Sequence, residues 1–322
     1  MLAARLLLEQ GLEVVGLHLE SPTACRSDAR AIAGELGIRL EVRSKGEEYL
    51  RLLRTPRFGY GRNMNPCIDC RVFMFRLGRP YLEEFGAQFL FTGEVLGQRP
   101  MSQRRGSMEL IDRMAGLEGW ILRPLSARLL RETEPERRGW VDRGRLLGVR
   151  GRARRVQLDL ARRYGLRARP TPAGGCLLTD AAFSSRLRDI MEHVPADLPL
   201  IEEVALLRIG RHFRVSPDLK IVLGRDAAEN RRLVDLERPG RRIVEPEGFA
   251  GPTALVCGGD LAAGMPDAMR LIARFAKPRR DGIGAEPGEP ARRVRWREDG
   301  RWVSAPLPAE PVAAPDPSPA PL

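Results

Sequence analysis

Two cysteines three residues apart stand in the string Asn65-Pro66-Cys67-Ile68-Asp69-Cys70. At the start of a helix that spacing turns both thiols the same way, and the positive end of the helix dipole favours the thiolate. Three chemistries are open to such a pair. A zinc site needs two more ligands, and the remaining candidates are scattered. A thioredoxin-like redox pair lacks its usual aromatic context. A catalytic or cluster-binding pair needs one further cysteine. Cys176 is the expected third member, because the Ala173-Gly174-Gly175 stretch before it lets the backbone approach a bulky centre closely. Cys25, beside the end of an expected strand, is its rival, and Cys257, inside an apolar run, reads as a buried core thiol. An odd set of five cysteines with a close pair points to a reducing compartment rather than to a disulfide framework.

A second string able to do chemistry runs from Thr92 to Gln103: Thr-Gly-Glu-Val-Leu-Gly-Gln-Arg-Pro-Met-Ser-Gln. At a strand end, Gly93, Glu94, Gly97 and Gln98 would offer backbone N–H groups and side-chain amides to a nucleotide in the crevice of a parallel sheet. The plainer reading is a tight turn into a capped helix. A third feature is charge. Between Arg143 and Arg169 there are ten arginines and one acid, Asp159. Arg150, Arg152, Arg154 and Arg155 at its centre are candidates for RNA phosphate contacts, and a solvated basic helix face is the alternative.

Elements that would position these residues follow from periodicity. Met1–Gln10 reads as a helix closed by Gly11, Val14–Leu19 as a buried strand, 27–36 as a helix and Ile38–Val42 as the next strand. Helices at 46–54 and 67–85 flank a loop rich in Gly, Pro and Asn, and a strand is expected at Gln88–Phe91. Alternation of this kind predicts an α/β domain over 1–165 with a doubly wound parallel sheet. The domain opens inside a helix, so its sheet lacks the first strand expected of such a unit. After a helix at 151–164, turn formers from Leu166 to Gly175 mark a boundary. A smaller α+β domain is expected over 166–277, with strands at Leu206–Ile209, Phe213–Val215, Lys220–Leu223 and Thr253–Cys257 and helices at 226–235 and 264–276. Residues 278–322 read as a disordered tail, since seven of the last seventeen are proline.

The chain has 322 residues, 43 % hydrophobic and 30 % charged, enough for two domains with proper cores. No apolar run approaches the ~18 residues of a membrane span, and no secretory leader is visible, so the cytoplasm is the expected compartment, without a membrane partner. Lys plus Arg is 54 against 42 Asp plus Glu, a net charge of +12. Because only Lys45, Lys220 and Lys277 are lysines, that total reflects Arg-rich coding as much as function, and clustering is the better guide.

Taken together the strings resemble a known family. Thr92–Gln103 is similar to the Thr-Gly-Glu-x-x-Gly-Gln-x-x-Ser-Gln segment of the ThiI-type tRNA 4-thiouridine synthases, with one extra residue before Ser102. Those are ATP-pyrophosphatases, also called PP-loop enzymes. Asn65–Cys70 resembles the Asn-Pro-Cys-x-x-Cys of the related tRNA 2-thiouridylases, and Arg123-Pro124-Leu125 resembles their Arg-Pro-Leu string. The likeness covers roughly residues 1–165. Gly174–Asp180 looks like the start of a C-terminal domain found in a ThiI-like subgroup. Gly210-Arg211-His212-Phe213 and Val222-Leu223-Gly224-Arg225 resemble the RNA-binding domain of the NFACT proteins.

The resemblance implies ATP-dependent sulfur transfer to a tRNA uridine. ATP with Mg2+ would adenylate the base carbonyl, Gly93, Glu94, Gly97 and Gln98 would line the nucleotide pocket, and a sulfur nucleophile would displace AMP. Sulfur would come from a cysteine desulfurase or from sulfide. It would be held either on a [4Fe–4S] cluster ligated by Cys67, Cys70 and Cys176 or as a persulfide on Cys67 or Cys70, with Cys176 as the resolving thiol. One motif of the family, the phosphate-cradling Ser-Gly-Gly-x-Asp-Ser, has no copy in the sequence. The expectation is therefore an N-terminally truncated reading of such an enzyme. The alternative is an RNA-binding or regulatory protein with the fold but without ATP turnover.

Overall fold

A computed structural model describes residues 1–24, 28–167, 176–276 and 291–308. The chain divides into two compact units, Met1–Ala181 with Pro199–Ile201, and Ala182–Leu198 with Glu202–Leu322.

The first unit opens with α1 (Leu2–Leu8), whose Leu6 and Leu7 are buried, and Gly11 at φ +82° turns the chain away from it. β1 (Val15–Glu20) and β2 (Arg39–Ser44) pair in parallel, Val15 opposite Arg39 and Glu20 opposite Ser44, joined by the crossover helix α2 (Ala29–Leu36). Asp28 caps that helix by accepting the Ala31 N–H, and Gly37 in the left-handed region ends it. Next come α3 (Gly46–Arg54), α4 (Cys67–Gly78) and α5 (Pro80–Glu84); the expected 67–85 helix is broken by Pro80, which starts a new helix. β3 (Leu90–Phe91) pairs in parallel with β4 (Ile121–Leu122) across α6 (Arg105–Ala115). The short α7 (Glu134–Arg137) and α8 (Arg155–Arg163) complete the unit. Ala4 and Leu7 of α1 pack with Val14, Leu36 and Leu122, while Val72 and Phe75 of α4 pack with Ile111 and Ile121.

The single doubly wound parallel sheet expected from the sequence is not formed by the described residues, which make two separate two-stranded parallel ribbons. β3 and β4 are only two residues long. Thr92-Gly93 and Arg123-Pro124 follow them, and a proline has no N–H for a ladder. β1 bonds to β2 on one side only.

The second unit holds α9 (Ala181–His193), α10 (Ile201–Leu206), β5 (Arg211–Ser216), β6 (Leu219–Leu223), α11 (Ala227–Val234), β7 (Arg241–Glu247), β8 (Ala254–Cys257), α12 (Met265–Phe275), β9 (Arg293–Glu298) and β10 (Arg301–Pro306). Its six strands form one antiparallel sheet in the order β10-β9-β7-β8-β6-β5. β6 and β8 are buried throughout, as their unbroken apolar runs require of central strands covered on both faces. Ala268 and Ile272 of α12 cover one face with Ile221 and Val256; Leu206 of α10 and Leu233 of α11 cover the other with Val222 and Leu255.

Two expectations are corrected here. Residues 206–209 are the end of α10 and a turn, not a strand, because Gly210 at φ +70° reverses the chain; a Cβ on it would lie 2.5 Å from the Leu223 carbonyl oxygen. Part of the expected disordered tail is ordered: 293–306 is a hairpin, turned at Asp299-Gly300, whose Val294 is buried in the core. The alternation of Arg293, Arg295 and Arg297 with Val294 and Trp296 is what a half-buried strand needs. Residues 277–290 and 309–322 lie outside the described residues.

Candidate functional site

Pro66 sits at the N-cap of α4, and the Cys70 N–H donates to its carbonyl at 2.8 Å, so Cys67 and Cys70 occupy the first turn as their spacing predicts. Asp69, between them, is buried and accepts the N–H groups of Arg57 and Phe58 at 3.1 and 3.0 Å, which anchors the preceding loop. The Cys70 sulfur receives the Tyr49 hydroxyl at 3.4 Å and lies 3.7 Å from Lys45 Nζ.

Cys176 is brought to the same place by clamps on both sides of its segment. Ala24, just past β1, bridges to Cys176, and the Leu177 N–H donates to the Thr23 carbonyl. On the other side the Met64 N–H donates to the Leu178 carbonyl at 3.1 Å, and Asn63 Nδ2 donates to the Thr179 carbonyl at 2.8 Å. Asn63 and Met64 lead directly into Cys67, so the Cys176 thiol is held within electrostatic reach of Cys67 and Cys70. Cys257 belongs to the core of the second unit, where burial pushes its thiol up to about 12. Cys25, the rival third thiol, lies outside the described residues.

The thiols are not activated in the way helix position alone predicts. Burial raises Cys67 above the ordinary thiol range, outweighing the nearby Arg99 and Arg71. Burial also raises Cys176 to about 11, against a weaker opposing hydrogen bond from the Leu178 backbone. Both are therefore neutral thiols at neutral pH, and the expected helix-dipole stabilisation of the Cys67 thiolate is overridden by desolvation. Among the described residues no three His, Cys, Asp or Glu side chains are gathered so as to hold a metal ion. As they stand, the three thiols do not fit a cubane cluster.

Glu94 follows β3 and is 3 % exposed. Its carboxylate meets Arg71 Nε of α4 at 3.2 Å and Arg123 Nε at 3.0 Å, and accepts the Thr92 hydroxyl at 3.3 Å. Arg123 in turn makes two bonds of 2.7 Å to Asp112 of α6. Burial works to raise Glu94, but the charges of Arg71 and Arg123 outweigh it and hold the carboxyl below its ordinary range. One carboxylate thus ties the end of β3 to α4, the end of β4 and, through Arg123, α6.

The rest of the 92–103 string closes on itself. The Glu94 N–H donates to Thr92 Oγ1, the Leu96 N–H to Ser126 Oγ, and the Gly97 N–H to the Gln103 carbonyl. The Gln98 N–H donates to the Val95 carbonyl and the Arg99 N–H to Gln103 Oε1. Gly97 is at φ +75°, which allows the turn, while Gly93 has open space beside its Cα. These donors bond within the protein and do not form a phosphate cradle as they stand.

The basic stretch lies beside that string. Leu96 bridges in parallel to Arg150, and the Gly151 N–H donates to the Leu96 carbonyl at 2.8 Å. With the Gln157 amide turned to suit its neighbours, its oxygen accepts from Gln98 Nε2 at 3.2 Å. Arg150, Arg152 and Arg155 are exposed and Arg154 is partly buried. Arg150 and Arg155 line a groove of about 440 Å³ with Leu147, Val149 and Val156.

Sequence reasoning did not single out Tyr49, Lys45, Arg71 or Asp112. Arg71 directly follows Cys70, and the Arg-Pro-Leu string contains Arg123, but nothing local indicates that both guanidiniums converge on Glu94.

Comparison with known proteins finds likenesses of two kinds. Residues 210–283 match the family model for the NFACT protein RNA binding domain. The chain is 33 % identical over 124 residues to the tRNA-specific 2-thiouridylase MnmA of Marinobacter nauticus, covering 34 % of this chain and 32 % of that protein. To MnmA of Syntrophotalea carbinolica it is 38 % identical over 106 residues, 28 % of this chain and 30 % of that one. It thus spans about a third of the length of these curated relatives. The solved C-terminal part of the fibronectin/fibrinogen-binding protein from Streptococcus suis covers 41 % of this chain and 65 % of its own at 13 % identity, with a TM-score of 0.22 that carries no argument. No helix among the described residues is long and apolar enough to cross a membrane.

Proposed function

We propose that this protein takes part in tRNA thiouridine synthesis, with ATP-activated uridine as acceptor and Cys67, Cys70 and Cys176 as the thiols that hand over sulfur. The observation that carries the reading is the joint clamping of the Cys176 segment by Thr23 and Met64, which holds its thiol within electrostatic reach of the Cys67–Cys70 pair. Similarity to tRNA 2-thiouridylases supports it, as does the Asn-Pro-Cys-x-x-Cys string. A ThiI-type 4-thiouridine specificity rests on the Thr92–Gln103 motif alone. The finer fold, a doubly wound parallel sheet of which two ribbons are present, is supported by α4: its Gly78 lies against both Leu17 of β1 and Leu90 of β3.

In this reading a cysteine desulfurase, whose own persulfide carries sulfane sulfur, passes that sulfur to the thiol of Cys67 or Cys70, which becomes the persulfide as the desulfurase cysteine leaves as a thiol. A second thiol of the trio attacks the inner sulfur, forming a protein disulfide and releasing the outer sulfur to the base, and an external dithiol reduces the disulfide for the next turnover. The test is to incubate the protein with tRNA, Mg-ATP, cysteine and a cysteine desulfurase, and to measure thionucleosides by mass spectrometry. Thiouridine should form and be lost in Cys67→Ser, Cys70→Ser and Cys176→Ser while surviving in Cys257→Ser. Absence of thiouridine with every donor, sulfide included, overturns the reading.

A second reading, RNA binding without ATP turnover, is favoured by the internal bonding of the 94–99 backbone donors and by the NFACT-type match. Both readings place RNA on the arginines at 150–155. Changing Arg150, Arg152 and Arg155 together to Ala should weaken tRNA binding and flatten its salt dependence by roughly 0.7–0.9 of a log unit per lost phosphate contact. An unchanged slope makes the stretch a solvated face.

A further inference from the structure

β10 is the outer edge of the six-stranded sheet, and with β9 it presents a face whose side chains are exposed among the described residues. Strand alternation sorts the hairpin sharply. Val294 and Trp296 turn toward the α12 side, where they join the core, and Arg293, Arg295, Arg297 and Trp302 occupy the opposite face, all exposed. On the inner strands that opposite face is occupied by Ile243 and Leu255 under α10 and α11. The hairpin extends beyond this cover.

Trp302 is 50 % exposed. Its cross-strand partner Arg297 has its guanidinium 5.1 Å from the ring centroid, and Arg295 on the diagonal lies at 4.5 Å. Among the described residues, acids reach only the inner end of this face. Glu245 of β7 lies 3.4 Å from Arg295, and Glu247 lies 3.7 Å from Arg293 and bonds Ser304. Glu298, at the hairpin turn, pairs with Arg242. Arg297 pairs with no acid among the described residues. A half-bare indole flanked by the Arg295 and Arg297 guanidiniums has the parts of a stacking platform for a nucleobase with a phosphate beside it.

We propose that the β9–β10 hairpin is a binding surface for single-stranded RNA, with a base stacked on Trp302 and a neighbouring phosphate on Arg297, which shares its face. It lies outside residues 210–283 that match the RNA-binding family, so it adds to that domain a contact the match does not include. Charge decides for RNA over an added protein strand: five arginines stand between 292 and 301 against Glu298 and Asp299. Base stacking is tolerant of sequence, so the surface would select single strands over duplex rather than one sequence over another.

The test uses the full chain and fluorescein-labelled ten-nucleotide oligo(U) and oligo(A), with a blunt RNA duplex of the same length as control, read by anisotropy across a salt series. Trp302→Ala should weaken single-strand binding roughly tenfold or more while leaving its salt slope unchanged, and Trp302→Phe should restore most of it. Arg297→Gln should lower the salt slope by about 0.7, the value for one lost phosphate contact on a single strand. Duplex binding should move with none of the Trp302 variants. A Trp302→Ala protein with native melting temperature and unchanged affinity for both oligonucleotides overturns the proposal. So does one that merely aggregates through β10, which would make Trp302 and its arginines guards of a sheet edge. Because no tRNA, ATP or sulfur donor is present, a failure here is distinct from a failure of the thiouridine reading.

Discussion

Val15–Glu20 and Leu219–Leu223 are both apolar strands, yet β6 is buried at every residue and β1 at none. β6 has a bonded neighbour on each edge and helices on both faces, whereas among the described residues β1 bonds to β2 alone. A strand's burial is thus decided by the partners on its edges and faces as much as by its own composition. The same contrast separates an antiparallel sheet, most of whose partners are near in sequence, from parallel ribbons, whose partners arrive only through crossovers.

The sharpest way to test this contrast is to cut the same kind of side chain from each strand. Ile221→Ala in β6 should cost about 3 kcal/mol, and Leu17→Ala in β1 about 1 kcal/mol, in denaturant unfolding. Equal costs would mean that β1 is buried in solution by something the described residues do not include.

Acid offers a second, smaller contrast. Asp189 in α9 receives Arg214 of β5 through both oxygens, at 2.9 and 2.8 Å, and Lys220 of β6 at 2.8 Å. Burial works to raise this carboxyl, but those partners hold it at about 2, below the ordinary 3.8. A depressed carboxyl stabilises the fold above its unfolded value, and that contribution is lost as pH falls through the folded one. The second unit should therefore lose about 1–2 kcal/mol between pH 4 and 2, after allowance for screening, and Asp189→Asn should abolish that part of the pH dependence. Persistence of the full acid loss in Asp189→Asn would assign it to other carboxylates.

The smallest effect is kinetic and bears on the thiol site. Cys67 and Cys176 should react slowly with iodoacetamide at pH 7, with the Cys176 rate still climbing about tenfold per pH unit up to pH 10, short of its value of about 11. A free thiol levels off above its ordinary value of about 8.5. Peptide mapping after timed alkylation distinguishes the two, and a plateau for Cys176 near pH 8.5 would show that the burial around it opens in solution.

Local signals carried much of the fold. The crossover β1-α2-β2, the caps at Asp28 and Gly37, and the apolar runs of β6 and β8 are all readable from period and punctuation. β9 was readable too, from the strict alternation of Arg with Val and Trp, but the proline-rich composition around it hid the pattern. At the end of α10, Leu206-Leu207-Arg208-Ile209 fits a strand or a helix period equally over four residues, and Gly210 decides against the strand. Of the candidate site, the Cys67–Cys70 pair follows from spacing within one helix turn.

What the sequence by itself determined are the properties that depend on near neighbours: helix ends, strand faces, the shared direction of Cys67 and Cys70, and the clustering of arginines at 143–169. Tertiary structure alone decided that Arg71 and Arg123, 52 residues apart in the chain, meet on Glu94, and that Thr23 and Met64 hold the Cys176 segment beside α4. It also decided the state of the thiols. A helix N-terminus acts through one turn of backbone, but desolvation depends on everything packed around a sulfur, and at Cys67 the surroundings prevail.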